Sequence, residues 1–215
     1  MKTEDLIATL AGDVRPVAPG LVQRRLATFV ALGLVSSAML MMVWMGPRKD
    51  LMTAMHGAFF WEKALYNFSF AVAGLLAAER LVRANGKAPR LARLTVFTAF
   101  ALMAGAGVIA LMLAPPQSRL LMWIGDSFHV CSMRIVVLSV PIMAASLTAA
   151  RSLAPTRLRE AGMASGFIAG GLAATVYAFH CPESTAAFVA TWYTLGIVLC
   201  GLIGWLLGPL VLRWR

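Results

Sequence analysis

The side chains in this sequence that can do soft-ligand or redox chemistry are few: three histidines, His56, His129 and His180, and three cysteines, Cys131, Cys181 and Cys200. His129 stands two positions before Cys131, and His180 stands directly before Cys181, with Pro182 and Glu183 following. Two chemistries fit such pairs. One is a reversible disulfide between Cys131 and Cys181, which needs Cα atoms about 4.4–6.8 Å apart and an oxidising compartment. The other is a transition-metal site of thiolate and imidazole, suited to copper or zinc, with candidate ligands His129, Cys131, His180, Cys181, Glu183 and His56. Such a metal would be accessory to the protein and not an obligatory cofactor. Neither pair has the three- or four-residue spacing that shares a helix face. Both members of a pair converge only where the backbone leaves the helix, and Pro182 biases Cys181 that way.

Whether the pairs can meet depends on the elements that carry them. The composition is 60% hydrophobic and 13% charged, with a mean hydropathy of +0.79, against roughly a quarter charged in a soluble domain. This points to an all-α integral membrane protein with the lipid bilayer as its surroundings. Six apolar stretches are about the ~20 residues that one crossing requires: Leu26–Met45, Phe59–Ala78, Leu94–Leu113, Val130–Ala150, Ala161–Phe179 and Phe188–Leu212. Glu62 and Lys63 intrude on the second and Arg134 on the fourth. The short loops leave no room for a second folded domain. The formal charge of +10 flanks apolar stretches without forming a basic face, which argues against direct contact with nucleic acid. Residues 1–13 lack the apolar core of a signal peptide.

Charge then sets orientation. Lys2, Arg15, Arg24 and Arg25, the cluster Arg80, Arg83, Lys87, Arg90 and Arg93, then Arg151, Arg157 and Arg159, and finally Arg213 and Arg215 fall on one side. The other side holds Arg48, Lys49, Lys63, Arg119 and Arg134. Cytoplasmic loops carry the excess of Lys and Arg, so both termini are expected in the cytoplasm of a bacterium, with the chain a multi-pass protein of the inner membrane. All three histidines, Cys131 and Cys181 then lie at the outer face. From Cys131 the chain crosses inward through ~20 residues and returns through ~20 more, ~30 Å each way, which brings Cys181 back to the depth of Cys131.

Gly162, Gly166 and Gly170, and likewise Gly196, Cys200, Gly204 and Gly208, repeat at every fourth position. Small residues at that spacing let helix backbones approach, and Cys200 reads as a packing thiol. Arg134 reads as an outer anchor, with Asp126 as its alternative partner. The N-terminal segment, residues 1–25, is a separate unit from the bundle of residues 26–215. There Thr3 can cap a short helix, Glu4 and Asp5 suit its first turn, and Leu6, Ile7 and Leu10 form an apolar stripe ended by Gly12, Asp13 and Pro16. Such a stripe docks on its own membrane, its own loops or a partner groove.

The opening residues Met1-Lys2-Thr3, Asp5-Leu6-Ile7, Leu10-Ala11, Asp13 and Pro16-Val17 resemble the start of the NrsF-type membrane anti-sigma factors, negative regulators of the extracytoplasmic-function sigma factor F. So do the six stretches, the His129-x-Cys131-Ser132 stretch, the run His180 to Glu183, and Trp192. The resemblance extends over nearly the whole chain, and Cys200 is extra to the pattern. It implies an anti-sigma factor that holds an extracytoplasmic-function sigma factor through its cytoplasmic N-terminus and releases it when outer cysteines sense metal or oxidative stress. Cys131 and Cys181 would be the sensor thiols. Asp5, Leu6, Ile7, Leu10, Asp13, Arg15 and Pro16 would form the sigma-binding segment. The protein would not be an enzyme. Two competing readings are a membrane thiol oxidoreductase and a small transporter or channel. The first generally wants a Cys-x-x-Cys pair. The second wants ionisable residues near the midplane, where Asn67 is nearly the only polar group.

Overall fold

The computed structural model describes Thr3, Asp5, residues 20–83 and residues 86–213. The described residues are helices and their connections, with no strand among them. In chain order the elements are α1 (Leu21–Trp44), α2 (Leu51–His56), α3 (Ala58–Leu81), α4 (Arg90–Leu113), α5 (Pro116–Ile124), α6 (Phe128–Arg151), α7 (Leu158–Tyr177), α8 (Ala186–Phe188) and α9 (Thr194–Val211), with a π-helical turn, Val189–Tyr193, joining the last two. The proposed sigma-binding residues Leu6, Ile7, Leu10, Asp13, Arg15 and Pro16 lie outside the described residues. Thr3 and Asp5 are helical and exposed.

Four segments are long and apolar enough to cross a membrane by length and composition: Leu21–Trp44, Arg90–Leu113, Pro116–Arg151 and Ala186–Val211. Their outward faces carry Phe97, Leu102, Leu113 and Leu210, all at least 70% exposed, an apolar surface that water would not tolerate. The sequence reading expects six crossings, and α3 and α7 do not reach this measure. Glu62, Lys63, Glu79 and Arg80 interrupt α3, and Arg159, Glu160 and four glycines lower α7. The physical reason is visible in the packing. Helix α7 is enclosed by α3, α6 and α9 and is buried along most of its length, so it meets backbone and small side chains instead of lipid.

The seam between α7 and α9 is built from the two glycine rows. A Cβ added at Gly162 would stand 2.2 Å from the Gly204 carbonyl oxygen, and one at Gly166 would stand 2.3 Å from that of Cys200. The two backbones therefore touch. Cys200 lies in this seam with its thiol 3.2 Å from the Ser139 hydroxyl, as expected of a packing residue. On its opposite side, α7 receives α3 with similar closeness, since a Cβ at Gly171 would meet the Ala71 nitrogen at 2.5 Å.

Two features correct the loops drawn from sequence. The connection before the fourth stretch contains α5, a short helix started by Pro116, as proline at a first helical position favours. Trp123 of α5 donates to the Thr191 hydroxyl at 3.1 Å. The sixth stretch is not uniform: Thr185 caps α8 by accepting from the Phe188 amide, and the π-helical turn then re-aims Trp192 and Tyr193. Such turns concentrate at functional sites.

Candidate functional site: a buried thiol pair beside a lysine

One end of the bundle gathers the chemistry. Cys131, in the first turn of α6, and Cys181, four residues beyond α7, are both fully buried and both free. They adjoin one another closely enough for each thiol to perturb the ionisation of the other. The Ser127 hydroxyl stands 3.8 Å from the Cys181 sulfur. The hydrogen bond from Cys131 holds the Cys181 thiol well below its ordinary range, against the upward push of burial, and the Lys63 ammonium adds to the lowering.

The segment around Cys181 is held from several helices at once. Lys63 of α3, only 1% exposed, donates from Nζ to the carbonyls of Cys181 at 3.2 Å and Glu183 at 2.8 Å. Its ammonium also lies 5.3 Å from the centre of the Tyr193 ring, a cation–π contact. Arg48, just after α1, donates to the same Cys181 carbonyl at 3.3 Å, and its amide donates to Phe179 O at 3.0 Å. Arg48 also forks onto both Asp50 carboxylate oxygens at 2.7 and 2.6 Å. This pairing raises the Arg48 pKa and lowers that of Asp50. Tyr193 packs on Tyr177 and adjoins Cys181, and among the described residues both tyrosine hydroxyls are buried without a well-formed hydrogen bond.

The expected metal ligands do not converge. Among the described residues no three of His, Cys, Asp or Glu gather around a common point. His56 ends α2 and is exposed. His129 is exposed and packs edge-on against Phe128, because a step of two residues turns it off the helix face that carries Cys131. The ring of His180 is fully committed. Arg134 donates to Nε2 at 3.2 Å, and Nδ1 lies 2.8 Å from the Gly46 carbonyl oxygen. Since arginine only donates, Nε2 accepts and Nδ1 carries the proton, so the lone pair a metal needs is taken. This also corrects Arg134, which turns inward to His180 instead of anchoring at the rim or pairing with Asp126. Glu183 is a clamp: one carboxylate oxygen accepts from the amides of Asp126 at 2.9 Å and Ser127 at 3.1 Å and from the Ser127 hydroxyl at 3.1 Å. That places a negative charge at the start of α6, where unpaired amides and the helix dipole favour it.

Lys63, Arg48, Tyr177 and Tyr193 escaped the reading of the sequence as site residues. The signal for Lys63 was present, since an ionisable residue within an apolar helix points to function. A second concavity, about 530 Å³, lies toward the opposite end of the bundle. Phe70, Phe97, Phe100 and Phe167 help to line it, with Arg93 and Glu160 among its few polar groups. It brings together no nucleophile with a base.

Comparison with known proteins agrees with this picture of a regulator. A family model described as "Negative regulator of sigma F" matches residues 10–214. The chain is 42% identical over 217 residues to the anti-sigma-F factor NrsF of Caulobacter vibrioides (strain NA1000 / CB15N). It is 38% identical over 217 residues to the probable anti-sigma-F factor NrsF of Azospira oryzae (strain ATCC BAA-33 / DSM 13638 / PS). Each alignment spans 100% of both chains. No solved structure matches. A match over this much of the chain places the protein in the NrsF family of anti-sigma factors, negative regulators of sigma F.

Proposed function

We propose that this anti-sigma factor is a six-pass protein of the bacterial inner membrane that senses oxidation through Cys131 and Cys181. In this reading α1, α3, α4, α6, α7 and the rod from α8 to α9 each cross the bilayer. Helices α3 and α7 can do so despite their charge and glycine because Lys63 and Asn67 are buried inside the bundle, while the exposed Glu62, Arg80 and Arg159 stand near the helix ends. Both termini face the cytoplasm, where basic residues are in excess, and residues 1–25 engage an extracytoplasmic-function sigma factor. The thiol pair faces the periplasm, where disulfides persist.

The observation that carries this reading is the juxtaposition of two buried thiols, fifty residues apart in sequence, one at the start of α6 and the other just beyond the end of α7, at one end of the bundle. Joining them favours one packing of α6 against α7 over another, and a switch requires that kind of differential interaction. A coupling of ~1–3 kcal/mol changes sigma affinity ~5- to 150-fold. The test is a sigma-dependent reporter in cells carrying the chain with both Cys131→Ser and Cys181→Ser. Loss of the response to peroxide is expected, with sigma still held. A response equal to that of the unaltered chain refutes the sensor. Deletion of residues 1–19 should abolish sigma capture, and undiminished capture would refute the docking role.

A further inference from the structure

Lys63 poses a problem that the sensor reading alone does not solve. An ammonium taken out of water is costly unless an anion accompanies it, yet no carboxylate oxygen lies within ion-pair distance of Lys63 among the described residues. Glu183 touches the ammonium through its backbone carbonyl, while its carboxylate is held at α6 and reaches Lys63 only as a weaker charge at longer range. The other charged neighbour, Arg48, has the same sign. Of the groups whose negative charge reaches Lys63, the Cys181 thiol acts most strongly, ahead of Cys131 and Glu183. A cavity of about 180 Å³, lined by Arg48, Phe60, Lys63, Glu183 and Ser184 among others, leads to this ammonium and is large enough for a small peroxide.

We propose that Lys63 is a positioning residue whose ammonium pairs with a Cys181 thiolate, and that oxidation signals by removing this counter-ion. The inference rests on the thiol-sensor reading above. With a hydroperoxide as oxidant, the Cys181 thiolate attacks the terminal peroxide oxygen. A sulfur–oxygen bond forms, the oxygen–oxygen bond breaks, and the leaving alkoxide takes a proton from water to depart as an alcohol. The Cys131 sulfur then displaces hydroxide from the sulfenic acid. The disulfide forms, the sulfur–oxygen bond breaks, and the Cys131 proton leaves with the hydroxide as water. Two electrons pass from the thiols to the peroxide, and the single negative charge of the reduced pair is gone. Lys63 is left beside two neutral sulfurs, and its hold on the carbonyls of Cys181 and Glu183 loses the attraction that kept the ammonium in the bundle.

The experiment uses the full chain in lipid nanodiscs with Cys200→Ser to silence the third thiol. One measurement is the rate of Cys181 oxidation by hydrogen peroxide as a function of pH, in the parent, Lys63→Met and Lys63→Arg. The expected result is a profile displaced upward by at least one pH unit in Lys63→Met, about tenfold slower on its acidic limb, and restored in Lys63→Arg. A purely structural lysine would not produce rescue in the pH profile. A profile unmoved in Lys63→Met overturns the ion pair. The second measurement is release of a bound extracytoplasmic-function sigma factor after Lys63→Met has been fully oxidised to the disulfide. Release reduced at least fivefold is expected, and release to the parent's extent overturns the counter-ion as the signal. The two readings fail separately, since release that persists in the double cysteine variant removes the sensor while the pH profile still reports on Lys63.

Discussion

Replacing Gly166 by alanine probes the seam on which the bundle is assembled. The added Cβ would lie 2.3 Å from the Cys200 carbonyl oxygen and 2.7 Å from Gly201 Cα, where ordinary contact begins at 3.4 Å. Both obstacles are backbone and cannot rotate away. The seam must therefore open by about 1 Å, a step that overpacked cores resist at about 1–3 kcal/mol. For a chain of this size that corresponds to a fall of about 3–10 °C in melting temperature. The matched control is Gly105→Ala on α4, whose added Cβ would meet nothing within 4 Å and whose helix propensity would improve by up to about 1 kcal/mol. Tryptophan fluorescence melts in one detergent compare the two directly. Equal melting temperatures for Gly166→Ala and Gly105→Ala would refute direct backbone contact as the basis of the seam.

Glu183→Ala strips the acceptor from two amides and a hydroxyl at the start of α6 and should cost about 1–3 kcal/mol, read as a lower melting temperature, whereas Glu183→Gln keeps an acceptor oxygen and should cost less. Cys131→Ala removes the hydrogen bond that lowers the Cys181 pKa. The thiolate is the reactive form, so oxidation of Cys181 at neutral pH should slow and its pH profile should move upward, as followed by mass spectrometry. Arg134→Leu leaves the accepting nitrogen of His180 without its donor and should loosen the contact with Gly46, visible as faster amide hydrogen exchange at Met45, Gly46 and Arg48.

The parts of this architecture that follow from simple periodicity were legible in the sequence. Antiparallel connection of two stretches of equal length is enough to return Cys181 to the level of Cys131, and glycine at every fourth position is enough to indicate the α7–α9 seam. What was not legible depends on which way a side chain turns at a helix end. His129 and Cys131 are neighbours in sequence but occupy different faces of α6. Glu183 was read as a ligand because its negative charge is compatible with a metal, yet the start of α6 offers it three donors. Lys63 was read as a blemish in an apolar stretch, since hydropathy records the cost of a charge and not the partners that offset it. The π-helical turn has no signature in composition, because its residues, Val189 to Tyr193, would suit an ordinary helix equally well.

Contact of backbone on backbone along α7 and α9 has a mechanical consequence. Where Gly162 and Gly166 meet Gly204 and Cys200, backbone faces backbone, so no side chain there can change rotamer to absorb a displacement. Such contact resists separation more than sliding, so a displacement imposed beside Cys181 would be carried along the ~30 Å of α7. On this geometry the helix would act as a push-rod whose far end is Leu158, where a Cβ on Gly208 would come within 2.2 Å of the carbonyl oxygen.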